Sequence, residues 1–147
     1  MFNHEPGILE ATDAHNEAMT LPMPSVVERL TELLGATTVA AIAGVKETRA
    51  VQQWMLGERE PQRPNVLRFA LQLAMMIATV ASRDVARAWF YGANPYLDDR
   101  TPLVLLRDDG LESVQGPLMQ AARAFAARAT TDTTDPSTSS TTRSMQV

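Results

Sequence analysis

Val66 to Ala81 reads VLRFALQLAMMIATVA, and its reading decides the fold. Only Arg68, Gln72 and Thr79 interrupt an otherwise apolar run, and Arg68 and Gln72, four residues apart, share one helical face. A helix with so little polar surface must be covered on most of its sides. The run is too short and, with an internal Arg and Gln, too polar to favour a membrane span. The expectation is a central helix wrapped by its neighbours that also contributes to a subunit interface, so that the chain forms a dimer.

The flanking sequence is helical in the same way. Upstream, PSVVERLTELLG (Pro24 to Gly35) places Val26, Leu30, Leu33 and Leu34 at helical spacing, with Ser25 as N-cap and Gly35 as stop. A short segment from Thr38 to Ala43 follows, then Gly44-Val45, then a helix from about Glu47 to Leu56 that stops at Gly57. Pro61 and Pro64 break helix, and Asn65 can cap the central run. Downstream, Ser82 and Asp84 open a helix through Val85, Ala86, Trp89 and Phe90 that ends near Gly92, and Asn94-Pro95 signals a turn. Thr101-Pro102 reads as an N-cap with Pro at the first helical position, ahead of Leu103, Leu105 and Leu106. Asp108-Asp109-Gly110 closes that element. A last helix from about Leu111 to Ala127 carries Leu111, Val114, Leu118, Ala122 and Phe125 on one stripe, with Gly116-Pro117 placed to kink it. No stretch alternates as a strand does. The fold class is all-α.

Composition narrows the chemistry. The 147 residues include no cysteine, which removes disulfides and thiolate sites. The two histidines, His4 and His15, both lie in the polar N-terminal stretch. There is no glycine-rich phosphate loop, and Asp98, Asp99, Asp108 and Asp109 form no calcium-loop pattern, so neither cofactor nor metal is expected. These absences disfavour an enzyme. The formal net charge of −4 argues against bulk adhesion to nucleic acid, though not against a small reading head. Residues 1–24 hold Glu5, Glu10, Asp13 and Glu17 with no Lys or Arg and read as a flexible acidic arm. Residues 129–147, rich in Ser and Thr, read as a flexible tail. With no secretion signal and no membrane span, the expected compartment is the cytoplasm.

Thr38 to Gly57, TVAAIAGVKETRAVQQWMLG, has the grammar of a helix-turn-helix, which assigns residues 25–64 to DNA binding. Val39 and Ile42 supply the inner face of the first helix, Gly44 the turn, and Val51, Trp54 and Met55 the buried stripe of the second. That stripe turns Arg49, Gln52 and Gln53 outward, with Lys46, Glu47 and Thr48 at the helix start and Arg59 and Arg63 just beyond its end. Arg can grip guanine and Gln adenine bidentately, while Lys46 can neutralise a phosphate. The bland alternative, an ordinary solvated face, is equally compatible with the spacing. Residues 25–64 balance five acids against five bases, and Glu47, Glu58 and Glu60 oppose phosphate.

Followed by WFYGANPYLDDRTPLVLLRDDG (Trp89 to Gly110), this helix-turn-helix resembles the Xre/MbcA/ParS antitoxins over about residues 25–127. The positions that carry the resemblance are Trp89, Asn94-Pro95, Leu97, Thr101-Pro102, Leu105-Leu106 and the helix from Leu111. Asp98-Asp99 stands where a glycine is often found. The resemblance implies a type II antitoxin whose residues 65–128 form a helical module for toxin binding and dimerisation. It implies a RES-type toxin partner that consumes NAD+ or uses it for ADP-ribosylation, and repression of the antitoxin's own operon. The complex would contain a homodimer or higher oligomer and operator DNA. On that reading Arg123 and Arg128 face the toxin's NAD cleft; the alternative is that they are ordinary solvent-facing arginines. Trp89 is either an interface anchor or core, and core is the commoner fate. A second functional reading is a stand-alone dimeric transcriptional regulator of bacterial or phage origin, with no toxin partner.

Overall fold

The computed structural model describes residues 14–134. Among the described residues there are eight α-helices and no strand. They are α1 (14–20), α2 (Met23–Leu34), α3 (Ala36–Ala43), α4 (Thr48–Met55), α5 (Pro64–Val80), α6 (Arg83–Tyr91), α7 (Pro102–Asp108) and α8 (Leu111–Thr134). A 3-10 turn at Pro95–Leu97 lies between α6 and α7.

The apolar run becomes α5, which α2, α3, α6 and α8 surround. Val66, Leu67, Phe69, Ala70, Leu71, Leu73, Ala74, Met75, Met76 and Ile77 are all buried within the one chain. The neighbours therefore account for the apolar surface of this helix, and α5 leaves no broad face for the subunit interface expected of it. The inner faces of α2 (Val26, Val27, Leu30, Leu34) and α8 (Val114, Leu118, Ala121, Ala122) close over it. The core continues through the expected domain boundary at residues 64/65: α2 packs on α5 and α6, and α3 packs on α7.

Several boundaries move from their sequence-based positions. The helix expected to be capped by Ser25 starts at Met23, with Pro22 as N-cap and Pro24 in the first turn, where a proline's missing N–H costs nothing. Likewise Pro64, ahead of Asn65, opens α5, and Arg63 is its N-cap. The capping expectations at Ser82 and Thr101 hold: their side chains accept from the N–H groups of Val85 (3.1 Å) and Val104 (3.2 Å). Pro117 falls in the second turn of α8, which runs through it as one helix.

The two flexible termini need correction. Residues 14–20 are helical, with Ala14 and Ala18 buried. The cause lies in α5: Arg68, one of its few polar residues, donates to the carbonyls of Ala18 (2.8 Å) and Leu21 (2.7 Å). Arg29 of α2 adds a bond to Glu17 at 3.1 Å. Residues 1–13 of the expected arm, His4 among them, lie outside the described residues. At the other end α8 continues past Ala127 to Thr134, and the hydroxyls of Thr130 and Thr131 bond back to the carbonyls of Ala126 (2.8 Å) and Ala127 (2.9 Å). Residues 135–147 of the expected tail lie outside the described residues.

Replacing Arg68 by Met keeps the stem of the side chain and removes both donors. The change should release 14–20, seen as loss of amide hydrogen-exchange protection there, and cost about 2–3 kcal/mol in denaturant unfolding. Leu71→Ala, at a fully buried position, should cost about 2–5 kcal/mol in the same measurement.

Candidate nucleic-acid interface

The segment expected to be a helix-turn-helix contains α3 and α4, joined by a short turn. At the end of α3, Gly44 adopts φ +80°, ψ 21°, a left-handed conformation in which a side chain would be strained. Its N–H bonds to the carbonyl of Ala41 (3.1 Å) and that of Val45 to the carbonyl of Ala40 (3.0 Å), so the helix stops with its last carbonyls satisfied. Val45 packs against the core and fixes the direction in which the chain leaves. The same pair of bonds ends α4, from Gly57 N–H to Trp54 O (3.1 Å) and from Glu58 N–H to Gln53 O (3.0 Å).

On α4, Val51 is fully buried and Trp54 is 5% exposed, against α2 and α3. With that side seated, Arg49 and Gln52 are exposed and Gln53 is half-buried. Lys46, Glu47 and Thr48 stand exposed at the start of the helix, where Glu47 is the N-cap residue but makes no side-chain capping bond. Arg59 is exposed beyond Gly57. None of Lys46, Arg49 or Arg59 makes an ion pair among the described residues. Leu56, at 72% exposure, adds an apolar side chain at the far end of the same segment.

Arg63 departs from this group. Its guanidinium donates to the carbonyls of Leu106 (2.6 Å) and Arg107 (2.9 Å) at the end of α7, bonds that none of the other candidate residues makes. These partners lie more than forty positions away, beyond the reach of any local pattern. A second long-range tie joins the two halves: the hydroxyls of Thr38 on α3 and Tyr91 on α6 meet at 2.9 Å. Thr38 is the one buried polar residue among the described residues, and this bond satisfies it.

The two arginines assigned to toxin contact are separated. Both are exposed on α8, but only Arg128 lines an open groove of about 670 Å³ with Pro95, Tyr96, Ala124, Ala127 and Thr131. Tyr96, half-exposed at 51%, is the large aromatic of that groove, and the sequence reading did not single it out. Asn94 builds the turn that presents it: its side-chain oxygen accepts from Tyr96 N–H at 3.0 Å, and its carbonyl accepts from Leu97 and Asp99, each at 2.9 Å. Trp89 is buried, edge-on to Phe90 at 5.2 Å between ring centroids, and so belongs to the core.

The loop acids are engaged locally or face water. Arg100 bonds both carboxylate oxygens of Asp109 (3.2 and 3.4 Å). Arg107 bonds Asp108, and this hydrogen bond holds the Asp108 carboxyl below the usual carboxylate range. Among the described residues no group of three or more His, Asp or Glu could hold a metal ion, and no helix is long and apolar enough to cross a membrane. Asp98 and Asp99 both have positive φ, 56° and 64°, which explains why glycine suits this position. The chain matches no family model, no curated protein and no solved structure.

Asp tolerates the left-handed region better than a β-branched residue does. Asp98→Val should therefore lower stability by about 1–2 kcal/mol while Asp98→Gly does not, as read from thermal unfolding midpoints.

Proposed function

We propose that this chain is a type II antitoxin with two tasks: α4 reads operator DNA and represses the chain's own operon, and the region around α8 and the 3-10 turn blocks the active site of a RES-type, NAD-consuming toxin. The observation that carries the reading is the seating of α4. Its apolar side is locked into the core through Val51 and Trp54, while Arg49 and Gln52 point away from the protein with no internal ion pair. A rigid helix with outward, bidentate hydrogen-bonding side chains is what base-edge readout in a major groove requires. Lys46 and Arg59 flank it as phosphate partners.

The antitoxin half of the proposal rests on the resemblance of Trp89 to Gly110. It is supported by the groove where Arg128 and Tyr96 offer a cation and an aromatic ring to an incoming surface. Arg123 extends the positive character of α8 on another side. A homodimer would place two α4 helices on an inverted repeat. Since α5 is covered, the second copy would meet the chain elsewhere.

A stand-alone dimeric regulator is the second reading. The continuity of the core favours it, because α5 to α8 are needed to bury α2 and α3 whether or not a toxin exists.

Arg49→Ala and Gln52→Ala, both at exposed positions, should each weaken operator binding by about 1–3 kcal/mol, some 5- to 150-fold, without a change in unfolding midpoint. A mobility shift at low salt measures this, and unchanged affinity in both variants defeats the DNA assignment. For the antitoxin half, the chain is co-expressed with a RES-type toxin encoded beside it. Restored growth and co-purification are expected, whereas failure of both, or the lack of such a neighbour, leaves the regulator.

A further inference from the structure

Arg63 is placed between the end of α7 and the turn of the α3–α4 hairpin, away from the Thr38–Tyr91 bond that ties the start of α3 to α6. On one side, Nη2 reaches Leu106 O at 2.6 Å and Nη1 reaches Arg107 O at 2.9 Å. These are among the last carbonyls of α7, which have no partner within the helix and carry the negative end of its dipole. Arg107, the basic residue in that last turn, pairs with Asp108 instead, so Arg63 supplies the cation to these carbonyls. On the other side the guanidinium lies near the turn of the α3–α4 hairpin: a Cβ added to Gly44 would stand 3.8 Å from Nη1. One planar group thus spans the end of α7 and the turn that aims α4.

We infer that Arg63 is a positioning residue for α4: it clamps the hairpin turn to the C-terminal half and so sets the angle at which Arg49, Gln52 and Gln53 meet DNA, without touching phosphate itself. The DNA consequence rests on the reading of α4 given above; the clamp itself does not. The chemistry favours arginine here. A guanidinium holds its donors in a fixed planar fork, so two bonds to adjacent carbonyls also fix the orientation of the plane that faces Gly44. A lysine ammonium keeps the charge but cannot reproduce that geometry. Swinging Arg63 out to a phosphate would strip both carbonyls of their donor.

Three readouts test this on the full-length chain, with Thr38 and Tyr91 left intact so that the other end of the hairpin stays tied. In the free protein, Arg63→Gln should speed amide exchange at Gly44 and Val45, whose N–H groups are hydrogen-bonded in the turn, by about tenfold or more while α2 and α5 exchange as before. Unchanged exchange at these two amides, or equal acceleration everywhere, overturns the clamp. On a duplex taken from upstream of the gene, Arg63→Gln should weaken binding about tenfold with the salt dependence unaltered, whereas Lys46→Ala should reduce the salt slope by about one. Arg63→Lys should fail to restore affinity. A reduced slope in Arg63→Gln, or full rescue by Lys, identifies a phosphate contact and overturns the inference. If the wild-type chain binds no duplex, the DNA half of the proposed function falls, and the exchange measurement alone decides the clamp.

Discussion

Removing the apolar surface of α5 from water is the constraint on which the rest of the structure depends. Each large side chain fully buried there is worth about 1.5–3 kcal/mol relative to exposure, and no single neighbouring helix can cover a surface that runs nearly all the way round. The solution draws in helices from both halves of the sequence. With α2, α6 and α8 around α5, α3 packs on α2, α5 and α7, and α4 packs on α2 and α3. The hairpin that carries Arg49 and Gln52 is thus held by the same core that would present α8 to a partner.

The few polar groups within this arrangement are all put to use. Arg68 ties α1 to the helix that must be covered, and Thr38 is satisfied by Tyr91 across the α3–α6 boundary. Among the described residues no buried side-chain nitrogen or oxygen lacks a partner. Each bond contributes modestly, about 0.5–1.5 kcal/mol for a neutral pair, yet leaving one member alone costs more than that. These ties therefore specify where the hairpin sits more than they stabilise the fold.

How much could be read in the sequence follows from the range of the interactions involved. The caps at Ser82 and Thr101 were legible because a side chain bonds a backbone group three residues away. The outward face of α4 was legible because Val51 and Trp54 fix it by spacing alone. The helix at 14–20 was not, since it is settled by Arg68, some fifty positions away in the chain. The same holds for Arg63, whose carbonyl partners on α7 lie more than forty positions away. Arg123 and Arg128 were legible as helix-face residues, but the Asn94-built turn that sets Tyr96 beside only one of them was not.

The outer part of α8 has a consequence of its own. At 1.5 Å per residue the helix is about 36 Å long, yet beyond Ala122 none of its side chains whose burial is described is buried. Such a rod stays wound by propagation from its anchored base, and a short helical end gains little from each added residue. Its tip will therefore fray and rewind without disturbing the protein beneath. A binder that grips the wound form pays an ordering cost confined to those turns, and a protease that prefers the unwound form can trim them while the remainder survives.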